Sequence, residues 1–175
     1  MTSIIKADNI STVSVSGNIT IPTGVKVVGT DTGSIMAPGH IVQVVQGTVG
    51  ELSNQNAGNI VLINQSFTPK FTGSKFYVSF MIPNLTGTDT SYFQAKAYIG
   101  VDSTPLNNTE VIYCRTHGQG TGASDTMTLS GSDFGTYTAP NTNTHYVSLL
   151  CTTGGTYAIA RHSATVKLQC MEIAQ

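Results

Sequence analysis

Cys114-Arg115-Thr116-His117 places a thiol and an imidazole at C-x-x-H spacing, the ligand types that zinc prefers. A structural zinc site needs four such ligands, and no second C-x-x-C or H-x-x-x-H follows. Cys114 is therefore read as a core residue and His117 as the start of a glycine-rich loop. His40, His117, His145 and His162 share no periodic spacing. Symmetry mates of one of them on a threefold axis are the remaining route to an ion, against a reading as ordinary rim residues. Phosphate-binding glycine loops lead into a helix whose N-terminus holds the anion, and no helical pattern follows residues 118–122. No G-x-S-x-G elbow occurs. A glycosidase needs two carboxylates about 5–9 Å apart across a cleft. The nine acidic residues are scattered, and Asp31, Glu51, Asp89 and Asp133 sit in turn-like contexts. No catalytic residue, metal or cofactor is expected. A carbohydrate-active enzyme on a β-sandwich is the rival from another class, and the absence of Trp and scarcity of carboxylates weigh against it.

The elements that must position these residues are strands. The 175-residue chain is 39% hydrophobic and only 10% charged, rich in Thr, Ser, Gly and Asn, and shows no helical periodicity. Its formal charge is -1, without the basic stripe of a nucleic-acid binder. No segment approaches the roughly 18 apolar residues of a membrane span. Met1-Thr2-Ser3-Ile4-Ile5-Lys6 lacks the apolar core of a secretory signal, so synthesis without export by that route is expected. Cys114, Cys151 and Cys170 are odd in number and lie in apolar contexts, where free Cys acts as a small buried hydrophobe.

Residues 75–82 alternate most clearly. Phe76, Val78, Phe80 and Ile82 share one face, and Tyr77 and Met81 the other; Pro83-Asn84 is expected to end the strand. Residues 91–100 set Phe93, Ala95, Ala97 and Ile99 against Tyr92, Gln94, Lys96 and Tyr98. Further strands are expected at 40–46, 59–64, 110–116, 125–129, 145–152, 157–160 and 164–173. Gly118–Gly122, Gly131-Ser132-Asp133 and Gly154-Gly155 read as turns between them. This spacing predicts an all-β protein with an antiparallel β-sandwich, jelly-roll-like head. A monomer would leave Tyr77, Met81, Tyr92 and Tyr98 wet on second faces, so these four are expected at a subunit interface.

Residues 1–39 differ from the rest. Very short alternations closed by Gly offer Ile4, Ile5, Ile10, Val13, Val15, Ile19 and Ile21 as anchoring residues. So small a segment cannot bury enough surface to fold alone. A stalk or anchor wound from several chains is expected there, with a flexible tail as the alternative. Ala37-Pro38-Gly39 marks the boundary to the head, residues 40–175.

Ser3-Ile4-Ile5-Lys6-Ala7-Asp8-Asn9-Ile10, with Gly17-Asn18-Ile19-Thr20-Ile21-Pro22, resembles the N-termini of tail-fibre-like and other virion structural proteins of tailed bacteriophages, particularly marine and cyanobacterial ones. The head is similar to a C-terminal module of such proteins. Its cues are Pro38-Gly39-His40-Ile41-Val42-Gln43-Val44, the stretch from Phe67-Thr68-Pro69 to Lys75-Phe76, and Leu168-Gln169-Cys170-Met171-Glu172-Ile173-Ala174. The resemblance implies a trimeric, shaft-like N-terminus and a compact β-sandwich head on the virion exterior, assembled in the host cytoplasm. It supplies no catalytic residues. A long shaft is missing, so this chain would be a stub or a knob.

The expected function is a homotrimeric fibre or spike. Its partners are further copies of itself, a tail adaptor or the major capsid protein, and a host-surface glycan; nucleic acid and membrane insertion are not expected. Polar loops at 84–91, 103–109, 118–125 and 139–144 are the expected host-facing surface, with Asn84, Thr88, Asn107, Asn108, Gln119, Thr121, Asn141 and Asn143 at their tips. A capsid decoration or cement protein of the same architecture is the alternative.

Overall fold

The computed structural model describes residues 39–55, 58–87, 92–117 and 127–174. The expected anchor residues, and Thr88, Gln119 and Thr121, lie outside the described residues. The described chain is all-β. Ten strands run β1 (Ile41–Val49), β2 (Leu52–Gln55), β3 (Asn59–Phe67), β4 (Lys75–Gly87), β5 (Tyr92–Gly100), β6 (Thr109–His117), β7 (Met127–Thr138), β8 (His145–Thr153), β9 (Tyr157–Ile159) and β10 (Val166–Ile173), with one 3-10 turn at Pro105–Asn107.

Two antiparallel sheets face each other. The smaller has the order β3-β8-β5-β6. In the larger, β10 lies between β1 and β4, and β7 takes the other flank of β4. β9 continues the lane of β10 along β4, and β2 continues that of β1. Set aside β2 and β9, and four strands face four in the double-sheet order of a jelly roll. The core is the inner set of each alternating strand: Phe76, Val78, Phe80, Ile82, Leu168 and Cys170 from one sheet meet Phe93, Ala95, Ala97, Ile99, Leu149 and Cys151 from the other. Each large apolar side chain so buried contributes about 1.5–3 kcal/mol before the cost of ordering it.

Two expectations are corrected. Pro83-Asn84 does not end β4. The strand kinks there through a register shift between Ile82 and Leu85 and runs on to Gly87. Asn84 takes φ 49°, a left-handed value that Asn tolerates better than most residues, and a bulge is where a strand admits Pro. Gly131-Ser132-Asp133 is not a turn but the middle of β7. A Cβ at Gly131 would lie 2.7 Å from Ile112 Cγ2 and 2.9 Å from Cys114 Sγ, so the glycine is what lets β6 and β7 close one side of the sandwich. The short strand β2 also goes beyond the sequence reading; it extends the lane of β1 past Gly50-Glu51.

Candidate interaction surface

Strand register decides what the outer side of the larger sheet presents. In antiparallel pairs, residues directly opposite share a face. Val44 pairs with Met171, Met171 with Tyr77, and Tyr77 with Phe134. These four outward side chains form one apolar rung across the sheet, spanning about 14 Å at the usual strand spacing. Phe134 is 56% and Val44 49% exposed, while Tyr77 and Met171 are half-buried. Ile173, opposite Ile41, stands next along β10. A contiguous exposed apolar strip marks an interaction site more often than a scatter of single residues does.

Two polar rungs follow along the same strands. Gln46, Gln169, Ser79 and Ser132 form the first, and Thr48, Lys167, Met81 and Ser130 the second. Between them lies a shallow basin of about 330 Å³, lined by Gln46, Thr48, Ser79, Met81, Lys167 and Gln169 over the backbone of Gly47, Phe80 and Leu168.

The outer side of the smaller sheet is arranged differently. The β5–β6 connection folds back over it, its 3-10 turn packing on β5 and β8 with Pro105 buried. Asn64 Nδ2 donates to Ser103 O (2.9 Å), and Ser148 Oγ donates to Asn64 Oδ1 (2.8 Å). Inside this connection Asn108 accepts from Asp102 N (3.0 Å) and donates to Asp102 O (2.7 Å), while Asn107 Nδ2 donates to the Asp102 carboxylate (2.9 Å). The Thr104 N–H and then Asn107 hold the Asp102 carboxyl below its ordinary range.

The four tyrosine and methionine positions expected at one interface are therefore divided. Tyr77 and Met81 share the outer side of the larger sheet, and Tyr92 and Tyr98 lie on the smaller one. Tyr98 is only 5% exposed within the single chain, leaving it little surface to offer a partner. Its hydroxyl donates to Glu110 (3.1 Å), and burial, then that carboxylate, raises its pKa. Tyr92 lies under the Arg115 guanidinium (4.8 Å), as Tyr113 does under Lys96 (5.2 Å). Lys96 also pairs with Glu110 at 3.0 Å, which raises the lysine pKa.

The expected loop tips fare unevenly. Asn107, Asn141 and Asn143 stand on surface turns, Asn141 and Asn143 being tied by Asn143 N to Asn141 Oδ1 at 2.9 Å. Asn108 is drawn inward as described. Asn84 is no loop tip: its Nδ2 donates to Arg161 O (3.1 Å), and Arg161 N donates back to Asn84 O (3.2 Å). Val44, Met171 and Phe134 were not among the sequence candidates. The alternation of 40–46 contained a signal for Val44; Phe134 was hidden beside an apparent turn.

Among the described residues no group of three or more His, Cys, Asp or Glu is placed to hold a metal. Cys151 and Cys170 are buried, and burial pushes both thiols up to about 12. Cys114 is half-buried, and its thiol is raised by the same cause.

No family model and no curated protein matches the sequence. Among solved structures, the VP2 subviral particle of infectious bursal disease virus is similar at 12% identity and TM-score 0.45, over 86% of this chain and 37% of that one. T=1 particles of the D431N mutant VP2 of the same virus give 13% and 0.42, over 86% and 41%. The C-terminal domain of EclA, a sugar-binding protein, gives 14% and 0.32, over 83% and 84%. All three scores are low, and the chain spans well under half of the VP2 chains.

Proposed function

We propose that this protein is a virion structural component without catalytic chemistry, a homotrimeric fibre or spike on the particle exterior. Residues 1–39 attach it to another virion protein, and the jelly-roll head stands outward. One observation supports this above the others: the rung Val44–Met171–Tyr77–Phe134, an apolar strip across a sheet face on which, among the described residues of β1, β10, β4 and β7, Lys75 and Lys167 are the charges. Further copies of the chain would bury it. The resemblance of the N-terminal segment to phage virion proteins points the same way.

The decoration-protein reading gains from a separate observation. The connection expected to reach outward at 103–109 is instead pinned to the sheet, which suits a passive shell component better than a receptor-searching loop.

Light scattering on the purified protein tests the assembly. A native mass three times the 18.4 kDa chain supports the trimer. A stable monomer at concentrations well above micromolar overturns it. Labelled antibody on intact particles then separates tail from shell.

A further inference from the structure

We propose that the basin on the larger sheet binds a saccharide through Gln46, Gln169, Ser79, Thr48 and Lys167. The proposal takes its biological setting from the exterior placement above, but the binding itself does not depend on it.

Five hydrogen-bonding side chains line the basin, and none makes a side-chain hydrogen bond or ion pair among the described residues. Several polar side chains elsewhere on the sheets are engaged. Asn64 bonds Ser103 and Ser148, Asn59 bonds Thr152, and Gln43 bonds Thr68 and Glu172. The basin residues thus keep their capacity for a ligand. Each glutamine amide offers a donor and an acceptor, the pair that neighbouring sugar hydroxyls require. Met81 supplies an apolar wall for the C–H face of a sugar ring. Tyr77 stands one rung away on β4, about 7 Å along the strand, so a second sugar unit reaches an aromatic ring. Lys167 is the one charge in the lining and no carboxylate accompanies it, which favours a sugar bearing a carboxylate.

Competing ligand classes fit less well. A nucleic acid needs several phosphate contacts, and the basin has one cation. A peptide adding to the sheet pairs with backbone along an edge, whereas the basin is built from side chains standing on the face of β1, β10 and β4. A greasy small molecule needs an enclosed apolar pocket, and this basin is partly open, with amides and hydroxyls among its apolar surface. If the apolar rung is buried between copies, the basin lies at the border of that contact, where interfaces are polar and wet.

The test is methyl-detected NMR of the full chain during titration with N-acetylhexosamines, neutral hexoses, hexuronic acids and N-acetylneuraminic acid. The Met81 methyl reports on the basin, and the Met127 methyl, packed against the core, is an internal control. At least one sugar is expected to shift Met81 saturably, with a Kd on the order of 1 mM, and to leave Met127 in place. Gln46→Ala with Gln169→Ala weakens that binding about tenfold or more, and Lys167→Met removes any preference for acidic sugars. An unchanged Met127 signal confirms that each variant is folded. No Met81 shift from any sugar up to its solubility limit overturns the proposal, as does binding unaltered in the double variant. Native mass is measured on the same sample. A monomer that binds sugar defeats the assembly reading alone, and a trimer that does not bind defeats this one alone.

Discussion

The carboxylate of Glu172 accepts the backbone N–H of Lys70 with both oxygens, at 2.8 and 2.9 Å. It also takes Phe71 N at 3.1 Å and Gln43 Nε2 at 2.9 Å, and it is 1% exposed. One acid on β10 thus organises the start of the β3–β4 connection. Glu172→Ala would leave those N–H groups without their acceptor and is expected to cost about 3 kcal/mol. The check is a fall in the urea midpoint at constant slope, with faster hydrogen exchange at Lys70 and Phe71. Wild-type exchange at both amides in Glu172→Ala would show that the acid does not hold the connection.

At Gly131 the backbone of β7 approaches the side chains of β6 closely. Gly131→Ala forces a methyl against Cys114 and the buried Ile112 and Phe80, and is expected to destabilise by about 2 kcal/mol. Gly50→Ala is the control, since nothing lies within 4 Å of the added carbon and no positive φ is involved. Thermal unfolding separates the two; equal melting points would remove the packing argument.

The thiols give a pH prediction. Burial raises Cys151 and Cys170 in the fold to about 12, against 9.0 for a free thiol. The folded form therefore keeps its protons where the unfolded form loses them. This contribution to stability is fully present below pH 9.0 and is lost as pH rises towards about 12. At pH 8 a thiol reagent should label Cys114 first and reach the other two only on unfolding. Rapid native labelling of all three would contradict the packing of β8 and β10.

Val44→Ser with Phe134→Ser breaks the apolar rung without touching the core, and is expected to reduce the native mass to that of a single chain while leaving the melting profile of the head in place. Tyr98→Ala should do the reverse, retaining the assembly mass while costing about 3 kcal/mol of stability, because Tyr98 is buried within its own chain. If Tyr98→Ala dissociates the assembly and the double variant does not, the interface lies on the smaller sheet.

The strands with strict alternation were legible from sequence. Residues 75–82 and 91–100 show their inner and outer faces directly, because a period of two maps onto the pleat. β7 was not legible, since Gly-Ser-Asp has the same composition whether it turns a chain or lets two sheets approach. The apolar rung was only half visible. Tyr77 is read from its own strand, but its neighbours Met171 and Phe134 come from 94 and 57 positions further along the sequence. Long-range register places them beside it, and no local pattern encodes that. Tyr98 misled for the complementary reason, as its cover is a connection that sequence polarity assigns to solvent.

The folded-back β5–β6 connection covers part of one side of the sandwich and leaves the other side bare, so the two sides are not interchangeable. Under the proposed assembly, copies that turn their bare sides to a common axis present only the partly covered sides outward, which favours a small closed cluster over a filament.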